Sequence, residues 1–196
     1  DIPTSSPLIK TDEFLYERAP FPSAHASTVT QLKNGDLVAA YFGGTFERNP
    51  DVCIWVSRKP KGAKAWEAPI LAADGVFEVG SEDALKAGVT KQTTAAAYGP
   101  VKVRKAQDLK KYQSQISQWH YDYYNKAQND TTKLSPNLRR LACWNPVLYT
   151  MPNGEIWLFF KVGANISGWT GWLVKSKDGG KTWSDREALP KGFLGP

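Results

Sequence analysis

Cysteine, histidine and long apolar runs are all scarce in this chain, and each scarcity removes a class of function. The two cysteines, Cys53 and Cys143, are too few for a disulfide framework and lack the C-x-x-C spacing of a zinc site. They either pair as one bridge or sit apart as core thiols, because free cysteine is among the most buried residue types. The two histidines, His25 and His120, stand far apart in sequence, so no metal-ligand cluster is evident and no cofactor is expected. A structural calcium held by loop carboxylates and carbonyls stays open. No stretch approaches the roughly 18 consecutive apolar residues that a membrane helix needs, so no membrane partner is expected. The N-terminal DIPTSSPL has neither an initiator Met nor a hydrophobic signal segment, which fits a processed, mature protein.

What is present is an ordinary globular composition, 41% hydrophobic and 22% charged over 196 residues, enough for one domain with a sizeable core. A formal net charge of +6 suits acidic partners such as uronate-bearing or sialylated glycans, or nucleic acid. The basic residues are spread along the chain and form no recognisable nucleic-acid module, so nucleic acid is not expected as a partner. Their densest cluster, Lys102, Arg104, Lys105, Lys110 and Lys111, reads as a solvated helix face. Two glycosylation sequons, at Asn129 and Asn165, agree with a secreted, extracellular glycoprotein.

The informative feature is an internal repeat. ASTVTQLKNGDLVAAYFGG, from Ala26, aligns with NPVLYTMPNGEIWLFFKVG, from Asn145, so that Asn34-Gly35 falls on Asn153-Gly154 and, at the same offset, Ser57 falls on Ser176. Each copy reads as strand, Asn-Gly hairpin, strand, longer loop, strand, turn, and then Trp66 or Trp183 opening a short final strand. A unit of four antiparallel strands is a β-propeller blade. Between the copies, from about Arg104 to Gln128, Leu109, Tyr112, Ile116, Trp119 and Tyr123 recur at helical spacing, which predicts an inserted amphipathic helix that covers a propeller face. GSEDALKAGVTKQTTAAAYGP before it and NKAQNDTTKLSPN after it read as loops. The expected organisation is a single incomplete propeller domain. It has an N-terminal arm and first blade over 1–80, an insertion over 81–140 with its helix at about 104–128, and a second blade over 141–196.

SKDGGKTW, Ser176 to Trp183, matches the Ser-x-Asp-x-Gly-x-x-Trp pattern known as the Asp-box, and SRKPKGAKAW in the first copy looks like a degraded version without the Asp. With HASTVTQLKNGDLVAAYFGG and CWNPVLYTMPNGEIWLFFKVG, these stretches resemble the sialidase-like BNR-repeat proteins, over about two thirds of the chain. The resemblance implies an all-β, six-bladed propeller of which this chain carries two blades, the ring being completed by a missing or separate segment, a second chain or identical copies. It also implies that the Asp-box residues Ser176, Asp178, Gly180 and Trp183 shape a corner away from the active face. A short carboxylate that satisfies turn amides is sufficient physical reason for Asp178.

The same resemblance puts the chemistry where the inner strands open. There the family carries an Arg-Ile-Pro motif whose arginine grips the substrate carboxylate, and this chain has His25 instead. One imidazole cannot replace a bidentate guanidinium, so ordinary sialidase activity is not implied. The loop GGTFERNPDVCIW would supply the general acid/base. Asp51, just before a strand that would desolvate it, is the candidate, with His25 as a second catalytic group. Glu47 and Arg48 of the same loop, Trp144 and Asn145 at the repeat position of His25, and Lys161 are expected to bind the sugar. The tyrosine nucleophile and the remaining arginines of the family come from later blades. The reading is a secreted exo-acting glycoside hydrolase on an acidic or deoxy sugar, and its alternatives are a non-catalytic lectin or a polysaccharide lyase acting on uronates.

Overall fold

The computed structural model of the chain describes residues 11–17, 19–21, 23–44, 46–93 and 137–194. The helix expected at about 104–128, His120 and the sequon at Asn129 lie outside these residues.

The described chain is all-β, built from three antiparallel sheets. The first blade runs β1 (Ser23–Gln31), β2 (Leu37–Gly44), β3 (Cys53–Lys59) and β4 (Ile70–Ala73), each strand pairing with the next. Strand β5 (Val76–Glu78), helix α1 (Glu82–Lys86) and strand β6 (Leu138–Arg140) follow, with β5 and β6 forming a two-stranded sheet where the insertion leaves and rejoins the body. The second blade repeats the meander with β7 (Cys143–Thr150), β8 (Ile156–Val162), β9 (Thr170–Ser176) and β10 (Glu187–Ala188).

The hairpins form for one local reason in both copies. Gly35 and Gly154 take φ of 90° and 91°, in the left-handed region that favours glycine. The Asn34 and Asn153 side-chain carbonyls accept from the amides of Asp36 and Glu155, each at 3.0 Å. Two expectations are corrected. The fourth strands do not open at the tryptophans but four residues beyond them, at Ile70 and Glu187. The segment taken as loop before the helix contains α1, started by Ser81, whose hydroxyl accepts from the Ala84 amide at 3.1 Å, and supported by a Glu82–Lys86 pair at 2.8 Å.

One core joins the blades. Val38, Ala40 and Phe42 of β2 and Ile54 and Val56 of β3 share a buried cluster with Ile156, Leu158, Phe160 and Val162 of β8 and Trp172 and Val174 of β9. Burying each large apolar side chain in such a cluster contributes about 1.5–3 kcal/mol. Polar links cross the same seam: Arg58 Nε donates to the Gly179 carbonyl at 2.7 Å, and the hydroxyls of Thr30 and Thr150 meet at 2.9 Å.

The opposite face of blade 1 is covered from the N-terminal arm, where Leu15, Tyr16, Ala19 and Phe21 pack with Tyr41 and Trp55. Gly43 makes this possible, because a Cβ there would lie 2.7 Å from the Phe21 ring. The question left open over the cysteines resolves to two free, buried thiols. Burial pushes the Cys53 thiol up to about 12 and also raises that of Cys143, which leaves both inert.

Candidate functional site

Strand direction sorts the predicted site residues into two groups. β1 and β7 begin, and β2 and β8 end, at the same edge of the paired sheets, so His25, the Glu47–Asp51 loop, Trp144, Asn145, Lys161 and Asn165 gather there. Ser176, Asp178, Gly180 and Trp183 lie at the opposite end, beside the two Asn-Gly hairpins.

The mouth is built twice by the same device. The pairing of β1 with β2 shifts between His25 and Thr28, and that of β7 with β8 shifts between Trp144 and Val147. At the equivalent positions inside these bulges, Ala26 and Asn145 take left-handed φ of 53° and 34°. A bulge re-aims side chains at the rim of a sheet, and non-glycine residues held at positive φ concentrate at functional sites. Here the bulge turns the Ala26 amide onto His25, whose Nδ1 accepts it at 2.7 Å. The neutral imidazole therefore carries its proton on Nε2, free to donate. Its ring is stacked on Phe42 at 5.7 Å and 11°.

Asp51 adjoins the openings of both inner strands. A Cβ on Gly44, which pairs with Ser23, would lie 3.0 Å from Asp51 Oδ1, and the neighbouring Val52 carbonyl accepts from Cys143 N–H at 3.0 Å. Glu47 and Arg48 are exposed, with Arg48 at φ of 75°. No cluster of three or more His, Cys, Asp or Glu side chains suited to a metal occurs among the described residues.

Trp144 and Lys161, directly paired across β7 and β8, are both buried. Trp144 is 4% exposed, its indole N–H donates to the Gly163 carbonyl at 2.8 Å, and its ring lies between Phe42 and Trp169. It packs the rim instead of presenting a platform to a sugar. Lys161 is 8% exposed, and its sole hydrogen-bond partner among the described residues is the Asn145 carbonyl at 3.3 Å. Burial lowers the pKa of its ammonium, since desolvation disfavours the charged form.

Sequence reasoning missed Phe42, the shelf under His25, and Trp169, half-buried against Trp144 at 5.1 Å. Phe42 had a signal, because it occupies in blade 1 the repeat position of Lys161. Trp169 had none beyond its aromatic neighbourhood.

At the far end, Asp178 Oδ1 accepts from the Ser176 hydroxyl at 2.8 Å and from the Lys181 and Thr182 amides at 3.0 Å each. Partial desolvation opposes ionisation, but these bonds and one from the Thr182 hydroxyl outweigh it and hold the carboxyl well below the ordinary range. Gly179 and Gly180, at φ of 74° and 85°, complete the turn, with the Gly180 amide donating to the Ser176 hydroxyl at 2.8 Å.

Among solved structures, the chain is similar to the NanB sialidase from Streptococcus pneumoniae, with a TM-score of 0.51 and 11% identity, over 93% of this chain and 38% of that one. A Hadza microbial sialidase aligns with a TM-score of 0.45 and 13% identity over 84% of this chain and 25% of that one. An endo-arabinase from Bacteroides thetaiotaomicron aligns with a TM-score of 0.40 and 12% identity over 85% of this chain and 43% of that one. The chain thus spans a quarter to less than half of the length of these structures. No curated protein matches it. The repeated four-stranded units, the shared mouth of the inner strands and the NanB likeness describe a sialidase-like propeller fold, here as two adjoining blades. The BNR repeat-like domain matches residues 35–196, and the chain belongs to that family.

Proposed function

We propose that these two blades form part of a secreted, carbohydrate-active propeller that removes an acidic or deoxy sugar from the end of a glycan by hydrolysis. The observation that carries the reading is Lys161, a buried ammonium whose one hydrogen-bond partner among the described residues is a carbonyl at the mouth, in the same rim as the Asp51 loop. A sugar carboxylate would give Lys161 its counter-ion, as a point charge where related enzymes use an arginine fork. Asp51 then acts as general acid on the departing glycosidic oxygen and as general base on the incoming water. His25 Nε2–H and the Asn145 amide hold hydroxyls. The nucleophile comes from a further blade, in a second chain or in copies of this one. Its docking face is the side of β7 and β8 that carries Tyr149, Trp157 and Phe159, where Tyr149 is 56% exposed.

The test is sugar release from fluorogenic sialosides, uronides and fucosides by the protein as isolated, with native mass spectrometry to identify any companion polypeptide. Asp51→Asn should lower the rate by about 100-fold or more. A variant that keeps the wild-type rate removes Asp51 from the mechanism. Release of an unsaturated, ultraviolet-absorbing sugar would identify a lyase. The histidine in place of the family's arginine favours one second reading, a lectin, which calorimetry would reveal as sugar binding without turnover.

A further inference from the structure

A cleft of about 810 Å3 opens beside the mouth. Leu85 and Gly88 at the end of α1 form one wall, Asn165 and Trp169 of the loop between β8 and β9 another, and Leu189 and Phe193, after β10, the third. A volume of this order is that of a small-molecule site, roughly 300–1,000 Å3. The third wall depends on a glycine, because a Cβ at Gly171 of β9 would lie 2.2 Å from the Phe193 carbonyl oxygen.

Three observations describe what this cleft would hold. Its rim carries large apolar side chains exposed to water, Leu85 at 69% and Phe193 at 66%, beside the exposed Lys86 and Lys191. Trp169 lines it, and the indole N–H of Trp169 is buried without a hydrogen-bond partner among the described residues. Asn165 has its side-chain carbonyl occupied by the Ser167 hydroxyl at 2.7 Å and the Gly168 amide at 3.1 Å. Its NH2 group is thereby turned out with no partner among the described residues. An aromatic wall with nearby unused donors complements a sugar ring, which offers an apolar C–H face and a rim of hydroxyl acceptors.

The cleft is also continuous with the mouth. His25 lies on Phe42, Phe42 meets Trp144 at 6.0 Å, and Trp144 meets Trp169 at 5.1 Å, so one aromatic row leads from the histidine to the cleft. We infer that the Trp169 cleft is a second sugar subsite, holding the unit linked to the sugar at the mouth, so that the chain recognises an oligosaccharide and not a free monosaccharide. The inference rests on the glycan-binding reading above. It requires Asn165 to carry no glycan in the functional protein, which the intact mass of the isolated protein reports.

The experiment follows the indole N–H resonances of nitrogen-labelled protein, assigned with Trp169→Phe and Trp144→Phe, during titration with sialic acid, galacturonic acid, sialyllactose and oligogalacturonides. The expected result is that an oligosaccharide moves the Trp169 signal while its monosaccharide leaves that signal in place. Trp169→Ala should weaken oligosaccharide binding about tenfold and leave monosaccharide binding unchanged. Should Trp169→Ala fail to fold, Trp169→Phe and Leu85→Gln supply the same comparison from opposite walls. Oligosaccharides that move the Trp144 signal and not that of Trp169, or a fully glycosylated Asn165, would overturn the second subsite and leave the mouth reading standing. Absence of any saccharide response at either tryptophan would end both.

Discussion

Blade 1 and blade 2 carry the same meander, the same Asn-Gly turn and the same bulge, yet they differ in what lies on their outward faces and in what stands at matching positions of the mouth. Tyr41 of blade 1 is 2% exposed beneath Phe21 and Tyr16, whereas Tyr149 of blade 2 is 56% exposed. Phe42 of blade 1 supports an imidazole, and Lys161, its counterpart, is a buried cation. At the outer turns, Asp178 satisfies the amides of its own loop. In blade 1 Lys59 holds that position, and Asp36 of the neighbouring hairpin accepts the Lys61 amide at 2.8 Å. A repeated scaffold thus keeps its backbone while individual positions are free to become plug, shelf or charge. Repeat architectures permit this because each unit mainly contacts its neighbours.

The largest test of this contrast is at one position of the third strand, Trp172 in blade 2 and Cys53 in blade 1. Trp172→Ala should lower stability by about 3–5 kcal/mol in urea unfolding, because it empties a fully buried indole site, whereas Cys53→Ala should cost about 1 kcal/mol. Equal losses would mean that the blades do not share one core. The covered and open faces come next. Phe21→Ala should cost about 3 kcal/mol, and Tyr149→Ala, on the exposed face, about 0.5 kcal/mol or less by itself. If a companion chain seats on blade 2, Tyr149→Ala should instead weaken that association, which sedimentation would detect.

At the mouth, Lys161→Met should abolish binding of an acidic sugar while leaving the fold intact or firmer. Burial holds the folded pKa of Lys161 below its unfolded value, so at intermediate pH the unfolded chain binds more protons. The wild type should gain stability as pH rises through that window toward the ordinary lysine range, and the Met variant should lack this gain. A modest effect is expected at the outer turn, where Asp178→Asn should cost about 1 kcal/mol at neutral pH. The folded pKa of Asp178 is depressed, so its contribution is present above the ordinary carboxylate value and is lost as pH falls through the lower folded value. The difference in melting temperature between wild type and variant should therefore fade below about pH 4. Sugar binding at the opposite end should not change.

Much of this molecule was readable in its residues. The repeat, the two hairpins and the closing turn are local: glycine at positive φ, asparagine bonding its own backbone, and alternating apolar residues act within a few positions of one another. The α1 start was equally local, in Ser81 followed by acidic residues, and was overlooked only because the surrounding segment is polar. The mouth was legible as a set of positions through the repeat, but not as an arrangement. Whether Trp144 faces a sugar or the interior depends on Phe42, Gly163 and Trp169 arriving from other strands, and no spacing along the chain encodes that.

The sequence by itself determined the two repeated four-stranded meanders, their Asn-Gly turns and the end of the sheets at which polar residues collect, because hydrogen-bonding side chains and period-two alternation act between near neighbours. The β5–β6 sheet and the starts of the fourth strands came only from the structure. The tertiary structure alone decided which face of blade 1 the N-terminal arm covers, that Trp144 is packed away while Trp169 borders a cleft, and that Lys161 is buried beside the Asn145 carbonyl. Burial is a property of what packs from elsewhere in the chain, and two residues of the same type differ in role once one of them has lost its water.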